Sequence, residues 1–282
     1  MAYNWPRLAH NGRPMFRLQK VSNYGTGTPA VARTALQGEE ILTFFARPQE
    51  ETDSALKILL DLKRHLLRCV EIRDELAKEI AAGRDQVARE GFSVQSGGRV
   101  VTLPGIGDLQ SKAEGFLQSA KLAIAETGNL TNPFYQASHG HQYHKFSAWA
   151  DKIFGPTDDL TLVVKSWEPF VKRIVEMRNA VDHPLTAPGA PLKTVNFLDV
   201  RSSSGVPELL DPSWGLTGED VRPILPDFDL IIEKVICLGE NVLVRLFYKL
   251  RNSEIVEIYE IPPDKRDPSN PRRLIVGLAG NE

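Results

Sequence analysis

An arginine, an asparagine and a histidine stand together where a helical pattern ends: Arg178-Asn179-Ala180-Val181-Asp182-His183. Cleaving RNA without a metal takes three groups. A base removes the 2′-OH proton, a cation stabilises the charge building on phosphorus, and an acid protonates the departing 5′-oxygen. Imidazole has an ordinary pKa suited to both proton transfers, and a guanidinium fork matches phosphate oxygens bidentately. On a helix Asn179 and His183, four residues apart, share a face, and Arg178 lies about 100° away, so all three can converge on one ligand. Counting back through Ile174, Val171 and Trp167 places Arg178 on the apolar stripe. An arginine directed inward is costly unless an anion meets it. Chance alone gives about one Arg-x4–6-His match in a chain of this composition, but about 0.02 once Asn must follow the Arg at one fixed spacing.

The elements that must position these residues are helical. Leu59, Leu62, Leu66, Cys69, Leu76 and Ile80 recur at helical spacing within 53–90, with Asp53 as N-cap. Leu109, Ala113, Phe116, Ala120 and Ile124 mark a second helix over 108–126. A short helix follows near 143–153. A third long helix runs from about 157 to Asp182, with Pro169 expected to kink or restart it, and a fourth spans 227–250. Pro184 biases His183 away from helical geometry and ends the third helix there. Residues 15–21 read as a short strand, 39–45 as a short helix, 99–103 and 193–200 as strands, and 255–261 with 273–278 as a terminal β-hairpin. The fold class expected is mainly α, a four-helix bundle core with small β additions. Residues 1–50 form an N-terminal extension, 51–252 the helical domain with an insertion at 184–225, and 253–282 the hairpin packed on it. So long an insertion reads as functional or as a flap.

This arrangement, with Arg-Asn-x3-His closing the third long helix, resembles the HEPN superfamily (higher eukaryotes and prokaryotes nucleotide-binding). The resemblance covers roughly 53–250 in helix order, and only the six-residue motif is specific. It implies an all-α HEPN-like domain that forms a homodimer through the motif-bearing face. It also implies a metal-independent endoribonuclease of toxin–antitoxin, phage-defence or RNA-processing systems. Arg178 and His183 then match the catalytic pair, and Asn179 the polar residue that follows the Arg. RNA is the implied substrate, and an antitoxin or regulatory protein a possible partner. No cofactor or metal is expected. Members paired with nucleotidyltransferase antitoxins often carry a Tyr two residues after the His. Leu185 stands there in this chain, so adenylylation-type regulation is not expected.

Other readings stay open. The motif also fits a structural helix end, with Arg178 paired to Asp182 and Asn179 and His183 capping the C-terminus. The domain is then an inactive module binding a nucleotide, RNA or a protein. His139, His141 and His144 form a separate cluster. It suggests a metal site, although the spacing fits no single helix or strand, or else a polar loop. A third possibility is that His141 and His144, like Asp182, contact substrate beside the motif. Trp149, Trp167 and Trp214 read as core or rim aromatics, and the basic pairs Lys265-Arg266 and Arg272-Arg273 as a solvated face.

Composition narrows the classes. A net charge of −2 gives no basic field of the kind a non-specific duplex binder needs. Two cysteines, Cys69 and Cys237, form no framework and read as apolar core thiols in a reducing, cytoplasmic compartment. No signal-peptide pattern opens the sequence and no apolar run is long enough to span a bilayer, so a soluble protein is expected.

Overall fold

The structure, a computed structural model, describes residues 9–10, 13–14, 23–95, 100–140, 142–182, 191–201 and 207–280. The first described residues form a minimal ladder of β1 (Ala9–His10) and β2 (Arg13–Pro14). Helix α1 (Pro29–Val31), a π-helical stretch (Ala32–Leu36) and α2 (Gln37–Leu42) follow without a break. Next come α3 (Gln49–Glu90), the hairpin β3 (Ser93–Gln95) and β4 (Val100–Thr102), α4 (Leu109–Asn129), α5 (Asn132–Tyr135), α6 (Tyr143–Phe154) and α7 (Asp159–Asp182). Strands β5 (Leu192–Val195), β6 (Leu198–Arg201), β7 (Pro207–Leu210), β8 (Ser213–Leu216) and β9 (Arg222–Pro223) lead into α8 (Ile224–Leu250). β10 (Val256–Glu260) and β11 (Leu274–Leu278) close the chain. The protein is mainly helical with small antiparallel sheets. Among the described residues no helix is long and apolar enough to cross a membrane.

Apolar periodicity explains the long helices. In α3, Ala55, Leu59, Leu62, Leu66, Cys69, Ile72, Leu76 and Ile80 are buried at three- and four-residue steps along a helix about 63 Å long. It stops at Gly91, whose φ of +69° lies in the left-handed region that favours glycine. Its start differs from expectation. The helix begins at Gln49 after Pro48, and Asp53 lies one turn inside, accepting a hydrogen bond from Gln49 Nε2 at 2.7 Å. Helix α3 packs on α4 and α8, and α4 also packs on α7 and α8. Gly239 lets α8 approach α3 closely, since a Cβ there would stand 3.0 Å from Leu62 Cδ2.

Helix α7 runs continuously through Pro169, so it does not restart there. The ring removes one backbone donor, but Pro169 is exposed on the groove side of the helix, where solvent can serve the carbonyl one turn back. The strand expected over 193–200 is two strands in different sheets. β5 pairs with β8, and β6 pairs with β7. The described part of the 184–225 insertion is anchored rather than loose. Trp214 is fully buried, meets Phe228 edge-on at 4.9 Å, and donates from Nε1 to Asp227 Oδ2 at 3.0 Å. Phe228 in turn stacks on Phe116 at 3.6 Å. The strand expected at 15–21 lies outside the described residues.

A buried ionic cluster ties the first helices to α8 and the terminal hairpin. Arg33, 6% exposed, donates from Nε and Nη2 to Glu240 at 2.8 and 2.5 Å and from Nη1 to Glu233 at 2.7 Å. Gln37 donates to Glu240 at 2.9 Å and accepts from the backbone amides of Arg273 and Leu274. Burial alone would lower the Arg33 pKa, but its bonds to Glu240 and Glu233 raise it and hold the charge. Contrary to the reading of a solvated face, Arg272 pairs with Glu40, and Arg273 pairs with Glu260 and Glu240. Cys69 is a buried core thiol as expected. Cys237 instead sits among these ions, 3.3 Å from Arg33 Nη2.

Candidate functional site

Helix α7 presents two faces to two neighbourhoods. Glu168, Lys172, Val175 and Asn179 follow one another at steps of four, three and four, so they form one stripe. That stripe lines a cavity of about 800 Å³. Lys165, Pro169 and Val171 complete the α7 side, Lys121 comes from α4, and Gln142, Tyr143 and His144 come from the start of α6. Val171, Val175, Pro169 and Tyr143 make an apolar wall, and lysines ring it. Tyr143 is fixed there because its hydroxyl donates to the Val164 carbonyl at 3.1 Å. Burial, with a smaller contribution from Glu168, pushes its pKa up, so it stays a neutral wall residue.

Arg178 points elsewhere. One residue before Asn179, it turns toward α4 and donates from Nε to Gln118 Oε1 at 2.5 Å. Glu114, Gln118 and Lys121 recur at helical spacing on α4, so the guanidinium meets an acid, an amide and a cation along one face. Burial lowers the Arg178 pKa, and Glu114 opposes that. Lys121 is also held below its ordinary range, first by burial and second by the charge of Arg178. The neighbouring lysines are matched. Lys165 bonds Asp151 at 2.8 Å and Lys172 faces Glu176 at 3.7 Å.

The structure therefore brings Asn179 and His144 to one cavity and turns Arg178 away from it toward Gln118 on α4. His144 is exposed at the rim. His183 and His141 lie outside the described residues, as does the side chain of Asp182. His139 is separate. It is 6% exposed, its Nε2 shares a hydrogen bond with Thr131 Oγ1 at 3.0 Å, and its ring packs on Phe146 and Trp149. Burial lowers its pKa, as for a neutral core histidine. Among the described residues no group of three or more His, Cys, Asp or Glu could hold a metal ion.

No family model, characterised protein or solved structure matches this chain. Its own geometry must supply the functional reading. Three lysines, an imidazole and two side-chain amides around an apolar wall suit an anion joined to a flat apolar group. Phosphate on a nucleoside has that form. Sequence reasoning missed Lys121, Lys165, Lys172, Gln118 and Gln142. Reading the α7 stripe backward from Asn179 instead of from Arg178 finds Val175, Lys172 and Glu168. Nothing in the sequence places Lys121 or Gln118 opposite them.

Proposed function

We propose that the α4–α6–α7 groove binds RNA through its phosphates and that the chain is a HEPN-like domain cleaving RNA there without a metal. The observation that carries this reading is the cavity itself. The motif residue Asn179 shares it with His144 and three lysines, while the motif residue Arg178, one position earlier, turns to Gln118 on α4. In the mechanism His183 takes the 2′-OH proton and returns a proton to the 5′-oxygen, and Arg178 stabilises the phosphorane. Asn179 orients the phosphate, with His144, Asp182 and His141 as further contacts. A homodimer with two motifs facing each other across a two-fold axis completes the proposal.

One observation favours binding without cleavage. Arg178 is engaged by Gln118 on the neighbouring helix and does not line the cavity. The two readings separate in one assay. Purified protein is incubated with RNA in EDTA, alongside Arg178→Ala and His183→Ala variants whose melting temperatures confirm folding. Cleavage by the wild type that both substitutions abolish supports the nuclease. Cleavage that persists in both variants refutes it. A wild type that binds RNA by fluorescence anisotropy yet leaves it intact supports the binding module instead.

A further inference from the structure

From the donor and acceptor groups around the groove we infer that it holds a base-reading subsite selective for guanine, with the Glu168 carboxylate setting the preference. The inference rests on the reading of the groove as an RNA site, and it names the base recognised there.

A carboxylate is out of place in a groove that holds phosphate, because like charges repel. Glu168 is nonetheless the one acid among the residues that line the cavity. Its neighbours on α7 leave it unanswered. Lys165, three residues before it, bonds Asp151 at 2.8 Å, and Lys172, four residues after it, faces Glu176 at 3.7 Å. Among the described residues the Glu168 side chain makes no ion pair and no hydrogen bond. An ionised carboxylate only accepts hydrogen bonds, an ammonium only donates them, and an amide does both. The cavity therefore offers one acceptor-only group together with donors from three lysines and the amides of Gln142 and Asn179.

Guanine is the base that complements this set. Its N1–H and N2–H2 are adjacent donors that match the two carboxylate oxygens, and its O6 and N7 are adjacent acceptors that match ammonium or amide donors. Adenine and cytosine each set one amino donor next to an acceptor, and uracil flanks its single N–H with two carbonyls. Each of them would turn an acceptor toward Glu168. The apolar wall of Val171, Val175 and Pro169 receives the flat of the ring. Glu168 and Asn179 lie on one helix, about 16 Å apart along its axis. Guanine is thus read away from the phosphate that Asn179 orients, and acid and phosphate do not meet.

The test uses the intact protein and 2′-O-methyl hexanucleotides, which 2′-OH attack cannot cleave. Each is a uridine run with one central guanine, adenine, cytosine or hypoxanthine, and dissociation constants are read by fluorescence anisotropy. We expect the guanine oligomer to bind about tenfold more tightly than the adenine and cytosine ones, as for one bidentate base contact. Hypoxanthine, which lacks the N2 amine, falls between them. Glu168→Gln, with folding confirmed by its melting temperature, brings all of them within about twofold of one another, because the bidentate contact is gone. The same variant binds the adenine oligomer no more weakly than the wild type does. Glu176→Gln removes an acid of the same helix that does not line the cavity, and it keeps the guanine preference. Equal or weaker binding of the guanine oligomer by the wild type overturns the inference, and so does a guanine preference that survives Glu168→Gln. The outcomes stay distinct from those of the nuclease assay. Binding that ignores the base sinks only this inference, whereas no binding of any oligomer at millimolar concentration sinks it together with the RNA reading of the groove. Guanine-dependent binding in a protein that never cuts RNA keeps it and removes the nuclease.

Discussion

Arg33 and Arg178 are both drawn inward from helix faces, and their surroundings differ. Arg33 lies in a closed cluster where Glu240 and Glu233 meet its fork and Gln37 completes the bonding of Glu240. Arg178 meets the neutral amide of Gln118, with the acid Glu114 and the cation Lys121 on the same face of α4. A guanidinium matched by carboxylates serves the fold, because Arg33 or Glu240 left alone would be a buried charge. A half-buried guanidinium that shares a helix face with an acid, an amide and a cation is less tightly committed to the fold. Sites used for binding commonly sit where local electrostatics oppose stability.

The largest effect that separates the two follows from truncating Arg33. Arg33→Met leaves Glu240 buried without its fork, and we expect a loss of about 3–5 kcal/mol in urea unfolding. Arg178→Met removes a half-buried cation that burial already disfavours, and its stability should change by less than about 1 kcal/mol. Losses of equal size would erase the contrast and make Arg178 a structural residue like Arg33.

That contrast was only half legible in the sequence. The long helices could be read because their apolar residues recur at local steps, and local steps survive in one dimension. The terminal hairpin was legible for the same reason, through alternation and a Pro/Asp-rich turn. Arg178 stood out because it interrupts an apolar stripe. Arg33 did not, since Glu240 lies 207 residues away and the π-helical stretch that carries it has no distinct composition. Lys121 was hidden likewise. It joins the groove only when α4 packs on α7, and by itself it reads as one more solvated lysine.

A histidine sharpens the comparison through pH. Burial lowers the pKa of His139, so the folded state favours its neutral form. In the unfolded chain the group titrates near 6.5. Below that pH the unfolded state binds the extra proton, and stability falls as pH drops toward the folded pKa. The contribution is complete above 6.5. Urea midpoints measured between pH 7 and 5 should decline, with His139 contributing a slope of at most about 1.4 kcal/mol per unit. His139→Gln should flatten part of that decline by retaining a hydrogen-bonding group toward Thr131 with nothing to titrate. An unaltered slope would place the pH sensitivity elsewhere.

The smallest effect concerns a cation that is neither buried nor mismatched. Lys172 lines the same groove as Lys121 but is exposed and faces Glu176 one helical turn on, at 3.7 Å. Water screens such a pair and side-chain entropy offsets most of its attraction, so Lys172→Gln should move stability by less than about 0.5 kcal/mol. A larger loss would show that the charge of Lys172 supports the fold as that of Arg33 does. Within the groove the two lysines differ in whether, among the described residues, a carboxylate answers the charge at ion-pair distance.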